Sequence, residues 1–182
     1  MYLNRAYQVI PNLIPHLSKR DKILDIGSGT GIISKIIKKK LNSNNITLTD
    51  IDYNEICDEY PVIIFDGKNL PFKKNQFTKS LLITVLHHSS DPRRLLREAK
   101  RVTSGEIIIM EDVFTDILGR TITFIGDCLV NFELHPFSRN HTTLEWVKIF
   151  QKEGFKIKSV KEFKLICVGF PFKLAIFVLS KG

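Results

Sequence analysis

The sequence predicts an α/β protein: a seven-stranded, mostly parallel sheet with helices on both faces and a C-terminal antiparallel hairpin. Three observations carry that expectation. Short apolar runs alternate with segments of helical period, four of the runs end in glycine or aspartate, and the last two runs are separated only by a turn. At 182 residues the chain fits one domain, residues 1–182, large enough to bury a core without disulfides.

The elements follow in order. Residues 1–20 (MYLNRAYQVIPNLIPHLSKR) are expected to be a helical segment. Lys22 to Gly27 is a first apolar run, bounded by a charged pair and a glycine. From Thr30 to Leu41, Ile32, Ile33, Ile36, Ile37 and Leu41 recur at helical spacing with lysines on the other face. Asn45 to Asp50 (NITLTD) is β-branched, so strand, helix and strand make a right-handed crossover. Pro61 to Asp66 (PVIIFD) reads as another buried strand and Ser80 to Leu86 (SLLITVL) as a fourth. Asp91-Pro92 opens a helix through Val102, with a capping side chain followed by proline at the first helical position. Gly105 starts a fifth strand, EIIIMED, and Thr142 or Thr143 caps a helix that Gly154 stops. Lys156 to Cys167 and Leu174 to Leu179 form the closing hairpin over GFPF. Residues 113–141, long, apolar and aromatic, are expected to be a lid insertion.

Composition narrows the function classes. Cys57, Cys128 and Cys167 are odd in number and far apart, with no CxxC spacing or paired histidines nearby, so they read as reduced thiols and no metal site is expected. The N-terminus lacks the layout of a signal peptide. Leu165 to Leu179, the most apolar stretch, is divided by Gly169, Pro171 and Lys173 and is too short to span a bilayer. The expected location is cytoplasmic. The net charge of +8 favours anionic partners, but the lysines cluster without interleaved aromatics, so a solvated surface is preferred over a nucleic-acid groove.

In such sheets ligands bind at the carboxyl ends of the strands, and that is where Asp25, the glycines, Asp50, Asp66, His87 and His88 fall. LDIGSGTG, Leu24 to Gly31, removes side chains at Gly27, Gly29 and Gly31 in a strand-to-helix turn, which suits a nucleotide-like ligand against bare backbone. Ile32 stands where a dinucleotide fingerprint has its third glycine, and no Lys-Ser or Lys-Thr pair completes a P-loop.

Four stretches in this order, LDIGSGTG, LTDID, FDGKNLPF and TVLHHSSDPRRLLREAKRV, resemble the class I S-adenosylmethionine-dependent methyltransferases of the small-molecule type, over Ile23 to Met110. The resemblance implies a Rossmann-like fold with S-adenosyl-L-methionine as cofactor. It implies that Gly27, Ser28, Gly29 and Gly31 underlie the methionine and ribose, and that Asp25 sits near the cofactor's amino group. Asp50 would accept from both ribose hydroxyls, Ile51 would cover adenine, and Asp66, beside Gly67, would face the adenine amino group, with Thr84 opening the fourth stretch at the site. The chain departs from the family in the short segment from Ile51 to Phe65 and at Thr78, where an aspartate is usual.

Methyl transfer from a sulfonium is an in-line displacement that positioning and exclusion of water can drive. His87 and His88 are the candidate bases. His135, Arg139 and His141 are candidate acceptor contacts, and the expected partner is a small-molecule acceptor. An RNA or protein methyltransferase using the basic surface, or a silent module of the same fold, are the alternatives.

Overall fold

The computed structural model describes residues 2–52, 61–114, 141–167 and 170–182. Among these, helix α1 is Tyr2–Leu13, followed by a 3₁₀ turn at Ile14–His16. Strand β1 (Ile23–Ile26) leads to α2 (Ile32–Leu41), β2 (Ile46–Asp50), β3 (Val62–Ile64) and β4 (Phe77–Ile83). Helix α3 (Pro92–Val102) runs straight into β5 (Thr103–Asp112). Helix α4 (Thr143–Lys152), β6 (Phe155–Cys167) and β7 (Phe170–Lys181) complete the chain.

The seven strands form one sheet in the order β3-β2-β1-β4-β5-β7-β6. β1 pairs in parallel with β2 and β4, β2 with β3, and β4 with β5. β7 is antiparallel to both of its neighbours, as the hairpin pattern predicts. Adjacent residues along each strand divide between two apolar layers, because a strand presents alternate side chains to opposite faces. Ile23, Leu81, Ile108 and Ile176 pack with Val9, Ile10 and Leu13 of α1 and Ile37 of α2. Leu24, Leu82, Ile107 and Phe177 pack with Leu95, Leu96 and Ala99 of α3 and with Trp146 and Phe150 of α4.

The caps form where the sequence places them. Asp91 Oδ1 accepts the Arg94 amide at 3.0 Å. Thr142 and Glu145 make a reciprocal box, the Glu145 amide donating to Thr142 Oγ1 at 3.2 Å and the Thr142 amide to Glu145 Oε2 at 2.7 Å.

Three expectations shift. β4 starts at Phe77 and stops at Ile83, short of Leu86, because Thr84 takes φ +54° and turns the chain out of the sheet. Leu86 is still fully buried, from a turn instead of a strand. β5 begins at Thr103, and Gly105 serves a close approach: a Cβ there would lie 2.4 Å from the Thr78 carbonyl. β3 is an edge strand whose Ile63 and Ile64 are exposed, since it pairs with β2 alone. Thr78, the departure from the family pattern, ties the start of β4 to β1: its Oγ1 accepts the Lys22 amide at 2.9 Å and lies 3.1 Å from Asp21 Oδ1. Of the expected lid, Val113, Phe114 and His141 are described, and Val113 and His141 are joined by a parallel bridge.

Candidate functional site

The glycine loop is set by backbone angle. Gly27, Gly29 and Gly31 have φ of +70°, +52° and +69°, the left-handed region that costs other residues free energy. Their surroundings differ. A Cβ on Gly27 would lie 2.6 Å from Val85 Cγ2, whereas a Cβ on Gly29 would meet nothing within 4 Å. Gly27 is therefore a packing glycine, and Gly29 opens onto free space. The Gly27 and Ser28 amides both donate to the Thr49 carbonyl, at 2.8 and 3.1 Å, tying the loop to the end of β2. Ser28 Oγ is buried with no hydrogen-bond partner among the described residues.

Asp50 closes the loop from the next strand. Its Oδ2 accepts the Gly29 amide at 2.6 Å and its Oδ1 the Ile51 amide at 2.7 Å, leaving further lone pairs on both oxygens. Asp66 is held by a turn: Oδ1 takes the Lys68 and Asn69 amides at 2.8 and 2.6 Å, and Oδ2 takes Asn69 Nδ2 at 2.8 Å. These bonds, the Asn69 amide first, pull its carboxyl down to about 2. Gly67, at φ +72°, lets Ile51 approach: a Cβ there would lie 3.3 Å from Ile51 Cγ2. Asp25 lies beneath the loop, buried, and accepts from Ser34 Oγ at 2.6 Å. Burial pushes its carboxyl up to about 6; the Ser34 bond opposes the rise and the charge of Asp50 adds to it.

The turn after β4 is organised by Glu111 of β5, fully buried. Its Oε1 accepts the Val85 and Leu86 amides at 3.0 and 2.7 Å, and its Oε2 lies 2.5 Å from His87 Nδ1. The His87 ring is buried, and the His88 ring is tilted at 43° to it with centroids 4.0 Å apart. Thr84 Oγ1 donates to the Ile83 carbonyl at 2.7 Å.

A cavity of about 760 Å³ opens at these strand ends, a size suited to a small organic ligand. Gly27, Ser28, Gly29, Asp50 and Ile51 line it, as do Asp66, Gly67, Thr84 and His88. Arg5, Ala6 and Val9 of α1 also line it, with Arg5 3.7 Å from Asp112. Asp25, Gly31 and His87 stand behind the lining residues, and His141 lies elsewhere, edge-on to Trp146 at 4.8 Å. His135 and Arg139 fall outside the described residues. Among the described residues no group of three His, Cys, Asp or Glu side chains is placed to hold a metal ion.

Residues 24–109 match the family model described as a methyltransferase domain. A solved S-adenosylmethionine-dependent methyltransferase from Methanosarcina mazei superposes with a TM-score of 0.71 at 19% identity, over 94% of this chain and 97% of that one. The chain carries a methyltransferase domain and has the fold of the class I S-adenosylmethionine-dependent methyltransferases. This methyltransferase is 26% identical over 163 residues to the demethylmenaquinone methyltransferase of Thermotoga maritima, covering 75% of this chain and 71% of that protein. It is 26% identical over 153 residues to 2-methyl-6-phytyl-1,4-hydroquinone methyltransferase 1 of Oryza sativa subsp. japonica, spanning 77% of this chain and only 42% of the plant protein.

S-adenosylmethionine is the cofactor of this methyltransferase, and the loop fits it. Gly29 leaves a cradle that a side chain would fill, Ser28 brings a buried hydroxyl with no partner among the described residues, and Asp50 keeps acceptor capacity. Two contributors to the site were not picked out from sequence: Val85 and Glu111. Glu111 had a signal, since an acid following four apolar residues in EIIIMED must find buried donors.

Proposed function

We propose that this methyltransferase methylates a small, largely apolar acceptor held in the cavity between α1 and the strand ends, and that it works in the cytoplasm. One observation carries the reading. The cavity of about 760 Å³ is lined both by the open glycine loop and by Ala6 and Val9 of α1 and His88. The names of the relatives, demethylmenaquinone and 2-methyl-6-phytyl-1,4-hydroquinone methyltransferases, support a hydroquinone-like ring as acceptor.

S-adenosylmethionine supplies a sulfonium methyl carbon that a nucleophile can take by direct displacement. Around it, Asp50 would accept from the ribose hydroxyls, Ile51 and Gly67 would flank adenine, and Asp66 would face the adenine amino group. Gly27, Ser28 and Gly29 would form the floor, with Gly31 behind them and Asp25 stiffening it from below through Ser34. Thr84 completes the wall between loop and acceptor. His88 is the proposed base that takes a proton from an acceptor hydroxyl, and His87, held by Glu111, positions it. His135, Arg139 and His141 remain proposed acceptor contacts of the 113–141 segment.

Calorimetric titration with S-adenosylhomocysteine, with Asp50→Ala beside the natural chain, tests the cofactor assignments. Loss of at least about tenfold in affinity is expected, since Asp50 supplies charge-assisted hydrogen bonds. Transfer of labelled methyl to a hydroquinone probe, and not to RNA or protein, is expected next. Labelling of RNA or protein alone would refute the small-acceptor reading.

A further inference from the structure

We propose that the outer face of α1 docks this methyltransferase on an anionic lipid membrane; the inference rests on the reading of the cavity as the site of an apolar acceptor. Helix α1 has two faces with different duties. Its inner residues Arg5, Ala6 and Val9 wall the cavity. On its outer face Leu3 and Tyr7, one turn apart, are 52% and 57% exposed, and Pro11 continues the stripe. The first 20 residues contain no Asp or Glu, and their charged residues are Arg5, Lys19 and Arg20.

The end of β6 is tied to this helix through its backbone. The Gln8 side chain clamps Ile166, donating to its carbonyl and accepting from its amide, both at 3.0 Å. Ile166 is itself 62% exposed. Lys161 Nζ donates to Asn12 Oδ1 at 3.0 Å, Lys164 is exposed nearby on the strand, and the neighbouring Glu162 is paired with Lys173 at 2.6 Å.

Single exposed apolar side chains are ordinary on any protein surface. Here Leu3 and Tyr7 lie one turn apart on the element that also walls the cavity, and cations accompany them. That is the chemistry of a helix lying in a lipid interface, with apolar side chains at the acyl boundary and cations at the headgroup phosphates. The net charge of +8 supplies the long-range attraction. Among the described residues no helix is long and apolar enough to cross a bilayer, so the association proposed is peripheral. An apolar acceptor dissolved in the membrane would then enter alongside α1 without crossing water.

The test is co-sedimentation of the full chain with phosphatidylglycerol vesicles and with phosphatidylcholine vesicles, for the natural sequence and for Leu3→Ser/Tyr7→Ser. The expected result is binding to phosphatidylglycerol that exceeds binding to phosphatidylcholine, weakens with salt, and falls about tenfold in the double variant. Calorimetry with S-adenosylhomocysteine on the same samples should be unchanged by the double substitution. Failure of the natural chain to sediment, or equal sedimentation of the two chains, overturns the proposal. So does retention of an oligoribonucleotide without vesicle binding, which assigns the charge to nucleic acid. Loss of S-adenosylhomocysteine binding by the natural chain would instead refute the cofactor reading and leave the vesicle result to be judged alone.

Discussion

Replacing Gly27 and Gly29 separately by alanine should damage two different properties of the protein. Both have positive φ, so each alanine costs about 1–2 kcal/mol of backbone strain. At Gly27 the new methyl would also lie 2.6 and 2.8 Å from the two γ-carbons of Val85, whose amide is pinned by Glu111. Val85 cannot retreat without disturbing the turn, and overpacking of that kind costs about 1–3 kcal/mol more. Gly27→Ala should therefore lose roughly 3 kcal/mol, a fall in Tm of about 10 °C for a chain of this size. At Gly29 the methyl meets nothing within 4 Å, so the stability loss stops at the backbone cost. It occupies the cradle instead, and affinity for S-adenosylhomocysteine should fall more than about tenfold, equivalent to 1.4 kcal/mol or more. Urea denaturation measures the first property and calorimetric titration the second. Gly29→Ala binding as tightly as the natural protein would refute the assignment of that space to the cofactor. Gly27→Ala as stable as the natural protein would refute the contact with Val85.

Other perturbations separate structural from functional roles. Asp25 is buried with its carboxyl raised from 3.8 to about 6, so its contribution to stability is full below pH 3.8 and is lost as pH rises through 6. Asp25→Asn keeps an acceptor for Ser34 and should remove that dependence, gaining about 3 kcal/mol relative to the natural chain by neutral pH; parallel pH-stability curves for the two proteins would refute it. Glu111→Ala removes the acceptor of the Val85 and Leu86 amides and the carboxylate beside His87 Nδ1 and should cost about 3 kcal/mol, whereas Glu111→Gln keeps an acceptor oxygen for the two amides and presents an NH2 to His87 Nδ1 in the tautomer where that nitrogen accepts, and should cost about 1. Equal losses in urea melts would show that Glu111 does not organise the turn. Thr142→Ala should cost about 1 kcal/mol through the lost cap of α4, and Thr142→Ser almost nothing, in the same melts.

Local chemistry was legible in the sequence because it is local. The alternation of apolar runs with helical periods located every strand, Asp91-Pro92 and Thr142 marked helix starts, and LDIGSGTG marked a turn that needs positive φ three times. Asp50 and Asp66 were recognisable because a carboxylate at a strand end follows directly from chain order. The lengths of β4 and β5 were not legible, since they depend on one threonine at φ +54° and on how closely Gly105 approaches Thr78. Nor was the difference between the glycines, which share a backbone conformation and differ only in what lies across from them. His87 and His88 are adjacent in sequence, yet one is buried against Glu111 and the other lines the cavity. The partner that separates them is 24 residues from His87, and so is brought there only when β5 pairs beside β4. Sequence alone determined the elements, the glycine loop and the acids at the strand ends. Tertiary structure decided which side chains face the cavity, because facing is set by pairing between distant segments and not by local order.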